Sequence, residues 1–196
     1  MPMSSLFQST YNTRYVPGSN CRFIRSDVPD KLTDEEIKWL LGKGVHTVID
    51  LRTTEEQLKK PCRLARLPEF RYLSLPVSGG NAVPSRPGDV SLSYLAMCDE
   101  QMNHILKTIL DSKSGVIFFC NAGKDRTGVV TALLMKHLGC TDREIIDDYL
   151  LSKYNLEPLL KDYAAIQDVS AEVITPCERY IREFLERYHN KYQRVL

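Results

Sequence analysis

The chain has 196 residues, 43% hydrophobic and 26% charged, which is ordinary usage for one globular domain and excludes a disordered or fibrous chain. Its 26 basic and 25 acidic residues leave a formal net charge of +1, so there is no broad field for nucleic acid or a membrane surface, and any anion site must be local. A chain of this size removes roughly 70% of its unfolded surface from water, enough to hold a fold without a disulfide scaffold or a structural metal.

Residues 1–20, polar and carrying Pro17 and Gly18, read as an irregular N-terminal segment ahead of a domain spanning 21–196. Thr33 and Glu36 make a capping box, and Ile37, Leu40 and Leu41 follow at helical spacing until Gly42 and Gly44 stop the helix. Residues 45–51, short and β-branched, predict a buried strand, and residues 70–75 predict a second. Residues 76–88, with three Pro and three Gly, form a long loop of the kind that often carries function. Across 91–110, Leu92, Leu95, Met102, Ile105, Leu106 and Ile109 recur three and four apart, predicting one long amphipathic helix. Residues 116–119, apolar on both faces, predict a central strand; the turn 120–126 follows, and residues 127–138, apolar almost all round, predict a buried helix ended by Gly139. Thr141 with Glu144 opens a helix to about residue 152, and Thr175, Pro176 and Glu178 start the last one. Strands alternating with helices give a single-domain α/β fold with a mainly parallel central sheet of about four to five strands, flanked by helices.

Cys120, Asn121, Ala122, Gly123, Lys124, Asp125, Arg126, Thr127 and Gly128 fit C-x5-R-[ST]-G between a strand and a helix. Composition alone produces such a match about 3 times in 1000. A loop folded back between a strand end and a helix start turns successive backbone N–H groups inward, making a nest for a tetrahedral anion such as phosphate or sulfate. Gly123 permits φ > 0 where the loop turns, and Arg126 offers a planar fork for two phosphate oxygens. Cys120 lies at the bottom of the cup, where backbone dipoles and Arg126 favour a thiolate nucleophile, and the Thr127 hydroxyl can reach back to the sulfur. Together these residues carry phosphoryl transfer through a phosphocysteine intermediate.

This loop is similar to the signature of the protein tyrosine phosphatase superfamily. Its AGKDRTG form, with Phe23-Ile24-Arg25-Ser26, the helix opened by Leu32-Thr33-Asp34-Glu35-Glu36 and the run Val48-Ile49-Asp50-Leu51-Arg52, resembles the atypical bacterial tyrosine and dual-specificity phosphatases over about residues 20–155. The resemblance implies a phosphatase-type parallel sheet and no metal or other cofactor. It also implies phosphorylated protein as substrate, phosphotyrosine and in some members phosphoserine, or phosphoinositide. On it, Cys120 is the nucleophile, Arg126 the phosphate clamp, Thr127 the thiolate partner, and Asn121, Ala122, Gly123 and Gly128 complete the binding loop. Lys124 matches the loop lysine associated, here and in tensin-type lipid phosphatases, with highly anionic substrates. Asp125 matches the loop aspartate that moves a proton to the leaving group or orients the attacking water.

Two departures from that pattern stand out. Phe119 replaces the histidine that many relatives place before the nucleophile, and burial against it disfavours a charge. The loop after the second strand, Leu75-Pro76-Val77-Ser78-Gly79, starts without an acid; Asp89 is its only one, so the general acid is Asp125 or Asp89, with Asp125 preferred. These departures keep a second reading open, a module of the same fold that recognises phosphate without turning it over. A nucleotide-binding Walker loop fails, because it needs Gly at 118 and Ser or Thr at 125, where this chain has Phe118 and Asp125. A sulfurtransferase or arsenate reductase also uses a strand-end cysteine over an anion nest, yet the Arg-Thr-Gly ending favours phosphate ester chemistry.

Outside the loop, Arg52 and Glu55 follow a strand end and either border the site or form a structural ion pair. Asp147 and Asp148 read as a solvated helix face, and the scattered His46, His104, His137 and His189 carry no ligand role. The six cysteines form no C-x-x-C pair and read as reduced thiols of a cytoplasmic protein, Cys62 and Cys98 included. Residues 1–20 lack an apolar signal segment and no run approaches 18 apolar residues, so neither secretion by a Sec signal nor integral membrane association is expected.

Overall fold

A computed structural model describes residues 5–79 and 82–192 of the chain. Among them, β1 (Arg14–Tyr15), β2 (Phe23–Ser26), β3 (Val45–Asp50), β4 (Arg71–Ser74) and β5 (Gly115–Phe119) form one sheet in the order β1-β2-β5-β3-β4. All neighbours run parallel except β1, which lies antiparallel to β2 with Arg14 opposite Arg25. The central position of β5 follows from its sequence: residues 116–119 are fully buried, Val116 and Phe118 facing one core and Ile117 and Phe119 the other.

The helices cover both faces. One core is built on α1 (Asp34–Gly42) and the segment 62–70, next to the short helix α2 (Thr54–Lys59). The other lies under α3 (Val90–Ala96), α4 (Glu100–Leu110), α5 (Arg126–His137), α6 (Asp142–Gln167), α7 (Ala171–Ile174) and α8 (Glu178–Tyr192). Thr33, Thr53 and Thr141 each cap a helix through a complete capping box, with Glu36, Glu56 and Glu144. Ser26 and Asp50 both pair with Phe119, so three parallel strands end level, and Cys120 leaves the sheet at that edge. Such carboxyl ends are where open α/β sheets bind ligands.

The sheet and fold class agree with the sequence expectation; several elements differ from it. The N-terminal segment contributes β1. Residues 91–110 form two helices instead of one, because the Asp99 carboxylate accepts the Met102 N–H at 3.0 Å and starts α4 afresh. The helix expected to stop near residue 152 continues as α6 through Pro158 to Gln167. A proline inside a helix costs about 3 kcal/mol, but Leu156, Leu160 and Ala164 bury against Ile174 of α7, and a fully buried leucine recovers about 2 kcal/mol. Of the expected loop, residues 80–81 lie outside the described residues, and Pro87–Asp89 forms a single 3-10 turn. No helix among the described residues is long and apolar enough to cross a membrane, and Cys21, Cys62, Cys120, Cys140 and Cys177 are free thiols.

Candidate active site

The loop from 120 to 126 is shaped from outside by its own carbonyls. The Val28 N–H donates to Asn121 O at 3.0 Å, the Asn12 side-chain amide donates to Ala122 O at 3.2 Å and Gly123 O at 3.0 Å, and Arg25 Nη2 donates to Gly123 O at 2.7 Å. With the carbonyls taken on the convex side, the peptide N–H groups and the unpaired first N–H groups of α5 are left for the concave side, as an anion nest requires. Gly123 sits at φ +66°, and a Cβ there would lie 2.4 Å from Ser26 O, so only glycine fits between the loop and the end of β2.

Beneath the loop lies a buried ionic cluster. Arg14 Nε meets Asp148 at 2.8 Å, and Arg25 also pairs with Asp148. The Ser152 hydroxyl accepts from Arg14 Nη2 at 3.1 Å and from the Asn12 amide at 3.2 Å. Burial and the neighbouring Arg14 lower the Arg25 guanidinium to about 10, although Asp148 and Cys120 pull the other way. Burial pushes the Asp148 carboxyl up, yet the charges and hydrogen bonds of the two arginines hold it below its ordinary value. Asp148 is thus no solvated helix face; it is 4% exposed, while Asp147 does pair on the surface with Arg143. Two buried guanidiniums share the Asp148 carboxylate here, and Arg25 is close enough to Cys120 for the two to interact electrostatically.

Arg126, at the first turn of α5, is held end-on by Glu56 of α2, whose two oxygens take Nη1 at 2.6 Å and Nη2 at 2.7 Å. Glu56 Oε1 also accepts the Asn121 side-chain amide at 2.6 Å. Burial alone would raise the Glu56 carboxyl, but the hydrogen bonds and charge of Arg126 and the Thr53 backbone N–H outweigh it and bring it to about 2. Guanidinium has five N–H donors in a rigid fork, so an end-on carboxylate leaves the Nε edge for a second anion in a fixed orientation. Sequence reasoning missed Glu56. The T-x-x-E pattern of Thr53 and Glu56 signals the helix, but six residues with none buried show no apolar stripe to draw attention.

Cys120, 3% exposed, lines a cleft of about 220 Å³ together with Glu56, Asn121, Ala122, Lys124, Asp125 and Arg126, and with Val83, Tyr163 and Ile174 as further walls. Tyr163 reaches it because α6 continues past residue 152; burial raises its phenol to about 12. Lys124 is buried, its ammonium donating to Ile174 O at 2.7 Å and lying 3.1 Å from Asp125 Oδ1. The same Asp125 oxygen accepts from Tyr94 Oη at 2.6 Å, and Tyr149 Oη lies 2.8 Å from Tyr94 Oη.

The other candidates fall elsewhere. Asp89 pairs with Arg86 at 2.8 Å on the surface and is not among the cleft walls. Thr127 Oγ1 is buried without a hydrogen-bond partner among the described residues, so the expected bond to the Cys120 sulfur is not made. Gly128 lies inside α5 facing Tyr149, and a methyl group on its α-carbon would meet that ring at 3.5 Å, an ordinary contact. Arg52 pairs with Asp50 at 2.6 Å, stacks 5.3 Å from the Phe119 ring, and is fully buried; Glu55 pairs instead with Lys59. Phe119 therefore serves the core below the loop. Among the described residues no group of three or more His, Cys, Asp or Glu side chains could hold a metal ion.

A strand-end cysteine, a loop whose carbonyls are bonded on its convex side and a fork-held arginine thus meet at the carboxyl end of a mainly parallel sheet. The chain matches the model of the tyrosine phosphatase family over residues 11–196 and belongs to that family. It is 31% identical over 167 residues to a tyrosine-protein phosphatase of Nostoc commune, covering 80% of this chain and 57% of that protein. It is 25% identical over 206 residues to a putative tyrosine-protein phosphatase of Cupriavidus necator, covering 84% and 74%. The chain thus spans little more than half the length of the Nostoc relative. Among solved structures, kinase associated phosphatase with its catalytic-site cysteine replaced by serine aligns with a TM-score of 0.52 at 15% identity, over 94% of this chain and 97% of that one. A putative phosphatase from Shewanella putrefaciens aligns at 0.50 and 16%, over 84% and 92%; at these identities both likenesses speak for the fold.

Proposed function

We propose that the protein is a cysteine-dependent phosphomonoesterase that acts on phosphorylated protein, foremost phosphotyrosine, through a phosphocysteine intermediate. The observation that carries this reading is the convergence of Cys120, Arg126 and Asp125 on one cleft beside the nest. Phosphate enters with its oxygens on the loop N–H groups and the free edge of Arg126, and Sγ of Cys120 attacks phosphorus in line. As the P–O bond breaks, the leaving oxygen takes a proton from Asp125; water then loses a proton to Asp125, attacks phosphorus and releases the thiolate. Fixed donors aimed at the phosphoryl oxygens supply most of the rate gain. Ala122, Val83, Ile174 and Tyr163 offer an aromatic ring apolar walls, and the ammonium of Lys124, tied to Ile174 O, is engaged with protein. These features favour an aryl phosphate over phosphoserine or a polyphosphorylated inositide. The free thiols of Cys21, Cys62, Cys120, Cys140 and Cys177 fit a cytoplasmic setting.

The test is phosphate release, with EDTA present, from a phosphotyrosine peptide, a phosphoserine peptide and mono- and polyphosphorylated phosphoinositides, for wild type and Cys120→Ser. The expected result is release fastest from the phosphotyrosine peptide and abolished by the substitution. Release that survives Cys120→Ser overturns the mechanism. No release from any substrate, with inorganic phosphate still binding, replaces the enzyme by a phosphate-recognition module.

A further inference from the structure

We propose that Tyr94, backed by Tyr149, is a positioning residue that commits Oδ2 of Asp125 to proton exchange with the substrate. This rests on the phosphatase reading above and deepens it. One oxygen of the Asp125 carboxyl is already taken. Tyr94 Oη donates to Asp125 Oδ1 at 2.6 Å, and Lys124 Nζ lies 3.1 Å from that same oxygen. Among the described residues no hydrogen bond reaches Oδ2. A carboxyl whose one oxygen already accepts two donors places its own proton on the other, and the Asp125 side chain, 39% exposed, belongs to the cleft wall.

The direction of the hydrogen-bond chain is fixed as well. A tyrosine hydroxyl has a single proton, and Tyr94 spends its own on Asp125, so at 2.8 Å Tyr149 must donate to the Tyr94 oxygen. A donated hydrogen bond polarises the hydroxyl that receives it and strengthens the next bond along. Both tyrosines are buried, and burial first, then the Asp125 charge, raise their phenols well above the ordinary value. They therefore remain neutral donors throughout the working range and hold Asp125 without relaying its proton. The rings are seated too: Tyr94 of α3 meets Tyr149 of α6 edge-on at 6.2 Å and Phe184 of α8 edge-on at 6.2 Å. Rotation of the Asp125 carboxyl, which would exchange its oxygens, has to break the bond to Tyr94.

Proton transfer matters more when the leaving oxygen is more basic, so the test compares a phosphotyrosine peptide with p-nitrophenyl phosphate for wild type, Tyr94→Phe, Tyr149→Phe and Asp125→Asn. Tyr94→Phe is expected to lower kcat about tenfold on the peptide, with KM within about twofold and a clearly smaller loss on p-nitrophenyl phosphate. Asp125→Asn should show the same leaving-group dependence, more deeply. Tyr149→Phe keeps the Tyr94 bond and should give a weaker loss in the same direction; it also decides the matter if Tyr94→Phe does not fold. Equal losses on both substrates, or none on either, overturn the positioning role while the enzyme reading stands. A leaving-group effect absent in Asp125→Asn removes Asp125 as the proton donor, and the proposal with it. Activity that survives Cys120→Ser refutes the underlying phosphatase mechanism instead.

Discussion

Replacing Glu56 by Gln keeps the shape of the side chain and removes the charge that holds the Arg126 fork. The Glu56 carboxyl stands at about 2 in the folded protein against an ordinary 4.5. Integrated over that interval, the difference is worth about 3 kcal/mol at neutral pH, and because 27% of the side chain remains exposed, solvent screening brings it to about 2 kcal/mol. The folded value is depressed, so this stability is fully present above pH 4.5 and is lost as pH falls through the folded value of about 2. Urea denaturation of wild type and Glu56→Gln should therefore show a gap of about 2 kcal/mol at pH 7 that narrows by roughly two-fifths near pH 3.5. Activity should fall about 10- to 100-fold, chiefly in kcat/KM, because a fork that is free to swing no longer presents its Nε edge to phosphate. A gap that is constant across this pH range, or absent, refutes the assignment of Glu56 as the charge that fixes Arg126.

Two further substitutions test the support around the loop. Gly123→Ala places a methyl group 2.4 Å from Ser26 O at φ +66°, and should cost about 2–4 kcal/mol and abolish binding of inorganic phosphate, read by denaturation and calorimetry; unaltered phosphate affinity would contradict the close approach of loop and strand. Asp148→Asn strips the shared counter-ion from Arg14 and Arg25 and should destabilise the fold by about 3–5 kcal/mol, far more than Asp147→Asn on the surface, in the same denaturation assay. Equal effects of the two would show that the buried cluster does not depend on the Asp148 charge.

Most of the fold was legible because its signals are local. The capping boxes at Thr33 and Thr141, the β-branched run at 45–51 and the apolar run at 116–119 each name their own element. The loop from Cys120 to Arg126 was legible for the same reason, since its chemistry lies in seven consecutive residues. What escaped depends on partners far along the chain. Asp148 reads as surface until Arg14, 134 residues away, is placed against it, and nothing in the sequence singles out Tyr94 until Asp125 meets its hydroxyl. The break between α3 and α4 turned on a single capping aspartate, Asp99, and the length of α6 on burial that outweighs Pro158.

The amide of Asn12 joins the first strand's approach to Ala122 O, Gly123 O and Ser152 Oγ, the last of them 140 residues away. Closing so long a stretch of chain costs conformational entropy, though the cost grows only slowly with its length. The convex side of the loop that carries Cys120 is held by Asn12 and by Arg25 of β2, with Ser152 of α6 bracing Asn12 from behind, so the shape of seven consecutive residues depends on contacts that span most of the chain.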